Sequence, residues 1–238
     1  MTQNGWSCVP RLSPIKAVEV PTLPLSTKEY QELLEAIPKA LSDVVHIPKS
    51  DKMPEHIRAS VIKKRANRVR ALIQLMRWSG LAIRDAVTLG RRELLMDKTK
   101  GFCRVVTARQ KTGTHVSVPI PSAVAKELLS VLNGNPKYFF WTGNGEERTA
   151  VSHFQDDLRR LFRAAGIQSG GYMVSHRLRD TFAVDLLEKG VALEEVSKLL
   201  GHESIKTTER HYAKWVKGRQ DRLDELVTGT WKHTIPRK

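Results

Sequence analysis

Apolar residues recur at helical spacing along most of this chain and at strand spacing in one stretch near the middle. Leu33, Leu34, Ile37 and Leu41 follow Leu25-Ser26-Thr27-Lys28-Glu29-Tyr30 at intervals of three and four, which predicts an amphipathic helix. Ser26 and Glu29 have the spacing of a capping box, and Leu25 with Tyr30 that of a hydrophobic staple. Arg58–Ser79 reads as a long helix that buries Val61, Ile62, Val69, Leu72, Ile73 and Met76. After Gly80 the period shortens to two. Glu93–Met96, Phe102–Ala108 and His115–Ile120 are predicted strands, with turns at Lys98–Gly101 and Lys111–Thr114. Connections this short cannot make crossovers, so the pairing is antiparallel. Helical spacing returns in Ser122–Leu132, capped by Ser122, and in Thr149–Ala165, which stops at Gly166. Tyr138–Trp141 reads as core rather than as a platform for stacked bases. The class is α+β: mainly helical, with one small antiparallel three-stranded sheet.

Composition narrows the partners. Lys and Arg outnumber Asp and Glu by 40 to 25, a formal charge of +15 over 238 residues. That excess, dispersed among apolar positions, favours a folded surface for a polyanion, nucleic acid ahead of an anionic membrane. No apolar run has the length of a bilayer span, and the N-terminal MTQNGWSCVPRLSP lacks the apolar centre of a signal peptide, so a cytoplasmic protein with no membrane partner is expected. Cys8 and Cys103 give neither a disulfide framework nor a metal-ligand cluster, and no cofactor or metal is expected. Residues 1–25 hold four of the 11 prolines and no period, and read as an extended arm or linker. Residues 46–57 read as a polar, Pro-marked connection.

The candidate chemistry lies in Ser175-His-Arg-Leu-Arg179, in Gly201-His202 and in Tyr212. On a helix over 175–188, His176 and Arg179 share a face and converge on one small anion. A phosphodiester needs that combination: cationic donors for its non-bridging oxygens, proton-transfer groups and a nucleophile. An i,i+3 His/Arg pair alone is weak evidence, because such pairs usually lie on a solvated face. The ordered series His-x-x-Arg, Gly-His, Tyr in a basic chain is much stronger. Arg177 and Asp180 read as plain surface polarity on the same helix.

The run SHRLRDTFAVDLLEKGVALEEVSKLLGHESIKTTERHYAKW resembles the C-terminal half of a tyrosine recombinase (phage integrase) catalytic domain. The likeness includes the spacing of Leu178, Phe182 and Leu186, the Gly190 break, and the short helix Leu193–Leu200. Weaker likeness reaches back to about Thr22. The resemblance implies an integrase-like catalytic domain over 26–212 and a C-terminal segment over 213–238 that is exchanged between protomers. It implies a site-specific recombinase in which Tyr212 attacks the scissile phosphate and forms a 3′-phosphotyrosyl link with release of a 5′-hydroxyl. That link keeps the phosphodiester energy, so neither ATP nor a metal is called for. Arg179 would clamp the non-bridging oxygens, and His176 and His202 would contact the phosphate or move protons. Lys111, in Arg109-Gln-Lys-Thr-Gly113, would protonate the leaving 5′-oxygen.

Two departures stand out. His211-Tyr212 places the tyrosine one residue later than the commonest family pattern. The family sequence Gly-Leu-Arg-Ile-x-Glu/Asp reads Gly80-Leu-Ala82-Ile83-Arg84-Asp85 here, with alanine at the arginine position. Either the local turn brings Arg84 into the site or the site lacks that cation, and Arg84 is the expected residue. The resemblance further implies double-stranded DNA as partner, a homo-tetramer on two duplexes, and room for an accessory DNA-bending protein. The smaller helical domain that precedes the catalytic domain in the family has no room before Leu25, so a catalytic domain alone is expected. The alternative is a non-catalytic DNA-binding protein that retains the integrase fold. A nicking-closing activity of the type IB topoisomerase kind is a third reading.

Overall fold

Ser26 caps the first helix with a capping box: its hydroxyl accepts the Glu29 N–H at 3.2 Å, and the Glu29 carboxylate accepts the Ser26 N–H at 2.7 Å. The computed structural model describes residues 23–42, 54–96, 101–168 and 173–231. Residues 1–22 of the arm expected over 1–25, most of the 46–57 connection and all but Gly101 of the Lys98–Gly101 turn lie outside these residues. So do 232–238 of the C-terminal segment.

Helices α1 (Thr27–Glu35) and α2 (Ile37–Ser42) lead to the long α3 (Glu55–Ser79). α3 begins three residues before the predicted start. Val69, Leu72, Ile73 and Met76 are fully buried, but Val61 is exposed and Ile62 only half-buried. The first turns of α3 project beyond the core, so their apolar side chains have less to pack against. The short α4 (Ile83–Val87) and a 3-10 turn (Arg91–Glu93) precede the sheet.

Strands β1 (Leu94–Met96), β2 (Phe102–Ala108) and β3 (His115–Pro121) pair antiparallel in the order β1-β2-β3, with Val105 opposite Leu94 on one side and Val118 on the other. Cys103, Val105 and Thr107 point into the core, as do Val116, Val118 and Ile120. α5 (Ser122–Ser130) follows, and Ser122 is its first helical residue rather than its cap. The Ser122 hydroxyl instead donates to the Gly101 carbonyl at 2.6 Å, and Pro121 supplies the extended residue before the helix. α6 (Glu147–Ala164), α7 (Val174–Glu188), α8 (Leu193–Leu200) and α9 (Ile205–Trp231) complete the fold.

α7 is the central element, packed against α3, α6, α8 and α9. Eleven of its 15 residues are buried, so it has no wet face. α9 runs through Tyr212 without interruption, so 205–231 is one helix. Among the described residues no helix is long and apolar enough to cross a membrane.

Candidate active site

A helix buried all round must give every charged side chain a partner. Arg177 and Asp180, read from sequence as surface polarity, are both buried. Arg177 donates to the Leu23 and Gln168 carbonyls, each at 2.9 Å, and to Glu29 at 3.1 Å. It therefore fastens residues 23–29 and the segment that follows α6 to α7. Asp180 accepts the Tyr212 hydroxyl at 2.8 Å.

Arg179, 6% exposed, points to where α3 and α8 end. Its Nη1 donates to the Gly80 carbonyl. Its Nη2 donates to the Leu200 carbonyl at 2.8 Å and meets His202 Nε2 at 3.0 Å. Both helix ends need glycine. Gly80 adopts φ 66° and a Cβ there would lie 2.4 Å from the Phe182 ring. Gly201, also at φ 66°, would drive a Cβ to 2.6 Å from Val116 and 2.8 Å from Arg109. A side chain at either position would push apart the backbone that holds the arginine fork.

His202 follows Gly201. A guanidinium has no acceptor, so Nε2 must accept from Arg179, and Nδ1 then donates to Thr208 Oγ1 at 2.7 Å. The imidazole is fixed as the neutral Nδ1–H tautomer. Burial first, then the charges of Arg179, Arg109 and His211, hold its pKa down to about 3. His176, half-buried, is shifted downward by the same causes in the same order. Arg179 itself is lowered to about 10, by burial and then by repulsion from Arg109. Burial raises Asp180, although the Tyr212 hydrogen bond opposes this.

Arg84, Lys111, His176, Arg179, His202 and Tyr212 all line one cleft of about 700 Å³. Their settings differ. Tyr212 is 3% exposed on α9, and His211 beside it is exposed. Lys111 stands at the exposed tip of the β2–β3 hairpin. Arg84 lies at the rim, its side chain 49% exposed, with Nε on Glu147 of α6 at 2.5 Å.

A residue passed over in the sequence occupies the floor. Arg109, one step beyond β2, lines the same cleft with a side chain only 13% exposed, and its Nη1 lies 3.0 Å from the buried Asp85 carboxylate. The other Asp85 oxygen accepts the Gln110 N–H at 2.9 Å, so α4 grips the base of the hairpin twice. Strand parity was the available signal: Cys103, Val105 and Thr107 face inward, and two residues further is Arg109. Asp180 could have been found from His176, four residues earlier on the same helix face. Among the described residues no group of three or more His, Cys, Asp or Glu side chains is placed to hold a metal ion.

The model of the phage integrase family matches residues 25–218. Tyrosine recombinase XerA of Pyrococcus furiosus is 28% identical over 178 residues, 71% of this chain and 60% of the relative. Tyrosine recombinase XerC of Rickettsia prowazekii is 28% identical over 148 residues, 60% of this chain and 46% of the relative. The chain thus spans about half to three fifths of the length of these relatives. Among solved structures, the XerH site-specific recombinase bound to its difH substrate superposes with a TM-score of 0.60 at 21% identity, over 87% of this chain and 53% of that one. The catalytic domain of bacteriophage HP1 integrase gives 0.52 at 16% identity, over 85% of this chain and 94% of that one.

Proposed function

The chain belongs to the phage integrase family, and on that footing we propose that it is a site-specific DNA recombinase that cuts and rejoins strands through a 3′-phosphotyrosyl intermediate on Tyr212. The observation that carries this reading is the Tyr212 phenol, buried in the wall of a cationic cleft and hydrogen-bonded to Asp180. A buried tyrosine hydroxyl usually finds some partner. Here the partner is a carboxylate, and the same cleft carries Arg179 and the imidazoles of His176 and His202.

In the proposed step Tyr212 Oη attacks phosphorus, an Oη–P bond forms, and the bond from phosphorus to the 5′-oxygen breaks. The phenol proton passes to Asp180, whose raised pKa makes it a better acceptor than an ordinary carboxylate. Lys111, at the exposed tip of the β2–β3 hairpin, gives a proton to the leaving 5′-oxygen. Arg179 offers its fork to the non-bridging oxygens, oriented by the two carbonyls and by His202. His176 hydrogen-bonds the phosphate. Arg84, at the rim, attracts the DNA backbone toward the cleft.

Double-stranded DNA is the proposed substrate, and the charge of +15 supplies its sequence-independent attraction. A homo-tetramer on two duplexes, with an accessory DNA-bending protein, is the proposed working assembly. Leu226 and Val227 on the far part of α9 are 62% and 51% exposed, which suits a helix whose end seats on a neighbouring protomer.

A binding-only protein is the second reading, favoured by Ala82 and by the engagement of Arg84 with Glu147. The test is covalent capture: the protein is incubated with nicked, sheared DNA of the genome that encodes it, then denatured. Recombinase chemistry leaves protein-linked strands that share one sequence, and Tyr212→Phe leaves none. Specific binding without any linked strand would establish the second reading.

A further inference from the structure

The family sequence puts an arginine where this chain has Ala82, and Arg84 is held at the rim by Glu147. Yet the cleft is not short of a second guanidinium. Arg109 reaches its floor from the sheet, a different element from α4, and does so on a fixed backbone: its N–H donates to the Thr114 carbonyl at 2.9 Å and its carbonyl accepts the Gly113 N–H at 2.8 Å. The buried Asp85 carboxylate lies 3.0 Å from Nη1, an ion pair that keeps the guanidinium at the floor. The missing Cβ of Gly201 leaves room for the Arg109 stem, since Cγ and Cδ would lie 2.8 and 3.0 Å from it.

Resting on the recombinase reading, we infer that Arg109 is the second phosphate-binding guanidinium of the catalytic site, supplied by the β2–β3 hairpin in place of an arginine at position 82. Three side chains on other elements lie within range of its charge: burial lowers Arg179, His176 and His202 most, and Arg109 adds to the shift in each, after Arg179 in the two imidazoles. Charges couple this way only at close range in a site shielded from water. Among the described residues Asp85 is the one carboxylate that Arg109 pairs with, and it also serves Gln110. Arg179 is anchored by two carbonyls and an imidazole. Two guanidiniums repelling each other across a small cleft are best relieved by an anion between them. A non-bridging phosphate oxygen fits that position, and its charge grows as Tyr212 attacks. Arg109 exchanges no proton in the step; it donates hydrogen bonds to charge that develops on the phosphoryl oxygens.

The same geometry could serve only to pin the hairpin to α4, and the experiment separates the two roles. Cleavage is timed on a nicked duplex carrying the captured sequence, with either a phosphodiester or an uncharged methylphosphonate at the scissile position. Arg109→Ala should slow phosphodiester cleavage by about 10²–10³, and the neutral linkage should close most of that gap because it has no anionic oxygen to offset. Arg109→Lys, which keeps a charge on Asp85 but loses the fork, should fall between the two on the phosphodiester. Arg159→Ala, which removes an exposed charge paired with Asp156 on α6, should cleave as the parent does. Equal slowing on both linkages would reduce Arg109 to a structural pin, and parental rates would remove it from the site. If the parent itself cleaves nothing, the recombinase reading falls separately, and inorganic phosphate decides on Arg109. Followed through the His176 and His202 imidazole signals, phosphate affinity should drop at least about tenfold in Arg109→Ala. Unchanged affinity would overturn the inference.

Discussion

Arg84 and Asp85 are neighbours on the same short helix, and each makes one ion pair, but the two pairs live under different physics. Arg84 meets Glu147 at the rim, with its side chain 49% exposed. Asp85 meets Arg109 on the floor, where the side chains are 4% and 13% exposed. At the rim, water screens the attraction and both side chains remain hydrated, so such a pair contributes little. On the floor neither charge is well solvated, and each depends on the other and on whatever anion enters the cleft. A guanidinium in the drier setting also acts more strongly on a nearby phosphate. The arginine nearest in sequence to the family's arginine position is therefore the weaker candidate for chemistry, and the arginine that the hairpin brings to Asp85 is the stronger one.

That contrast breaks first at Asp85. Asp85→Ala leaves the Arg109 guanidinium without its carboxylate and frees the Gln110 N–H, and should destabilise the protein by about 3–5 kcal/mol. Glu147→Ala at the rim should leave the midpoint of a denaturant titration where it was. Comparable midpoints for the two variants would mean that burial does not distinguish the pairs.

Cleavage sharpens the comparison next. Whereas Arg109→Ala should lose the activity described above, Arg84→Ala should cost less than about tenfold in rate, since its guanidinium is solvated and already engaged. A rate loss for Arg84→Ala as large as that for Arg109→Ala would return the second cation to position 84.

A smaller effect concerns pH. His202, held down to about 3, stays neutral in the folded protein, whereas in the unfolded chain it takes up a proton below about 6.5. The unfolded state then binds more protons, so stability contributed by this residue is complete above about 6.5 and declines as pH falls toward 3. His176, also lowered, works in the same direction, while Asp180, raised by burial, works against it. His202→Gln should therefore flatten the fall in stability between pH 7 and 5. In Arg109→Ala the His176 and His202 imidazoles should titrate higher than in the parent, and in Arg84→Ala they should not move. Imidazole shifts that respond to Arg84 instead would invert the comparison.

Much of the fold was legible because apolar spacing reports directly on burial. The second strand and the Leu193–Leu200 helix matched their predicted ends, and the other strands and α7 came within a residue. Errors arose where a local rule met a tertiary fact. Val61 follows the helical period but stands on a part of α3 beyond the core. Arg177 and Asp180 carry charge, which argued for solvent, but α7 has no solvated face to offer them. Ser122 has the chemistry of a cap, yet Pro121 already ends the strand in extended geometry. The site residues near Tyr212 were named from their order in the chain, which long-range folding does not disturb. Arg109 was given no role because it falls between the predicted end of the second strand at Ala108 and the Lys111–Thr114 turn, although strand parity carries the inward face of β2 on to it. Only the tertiary fold brings it opposite Asp85 and Arg179.

The central claim is that Tyr212 is the nucleophile of a phosphoryl-transfer site, and the linked residue can be identified directly. The captured adduct is digested with trypsin and nuclease, and the peptide that retains a nucleotide is sequenced by mass spectrometry. The account predicts a nucleotide on Tyr212 in the peptide His211-Tyr212-Ala213-Lys214, joined by an acid-stable phosphoester. An acid-labile link on His211, or a nucleotide on any other peptide, would contradict it.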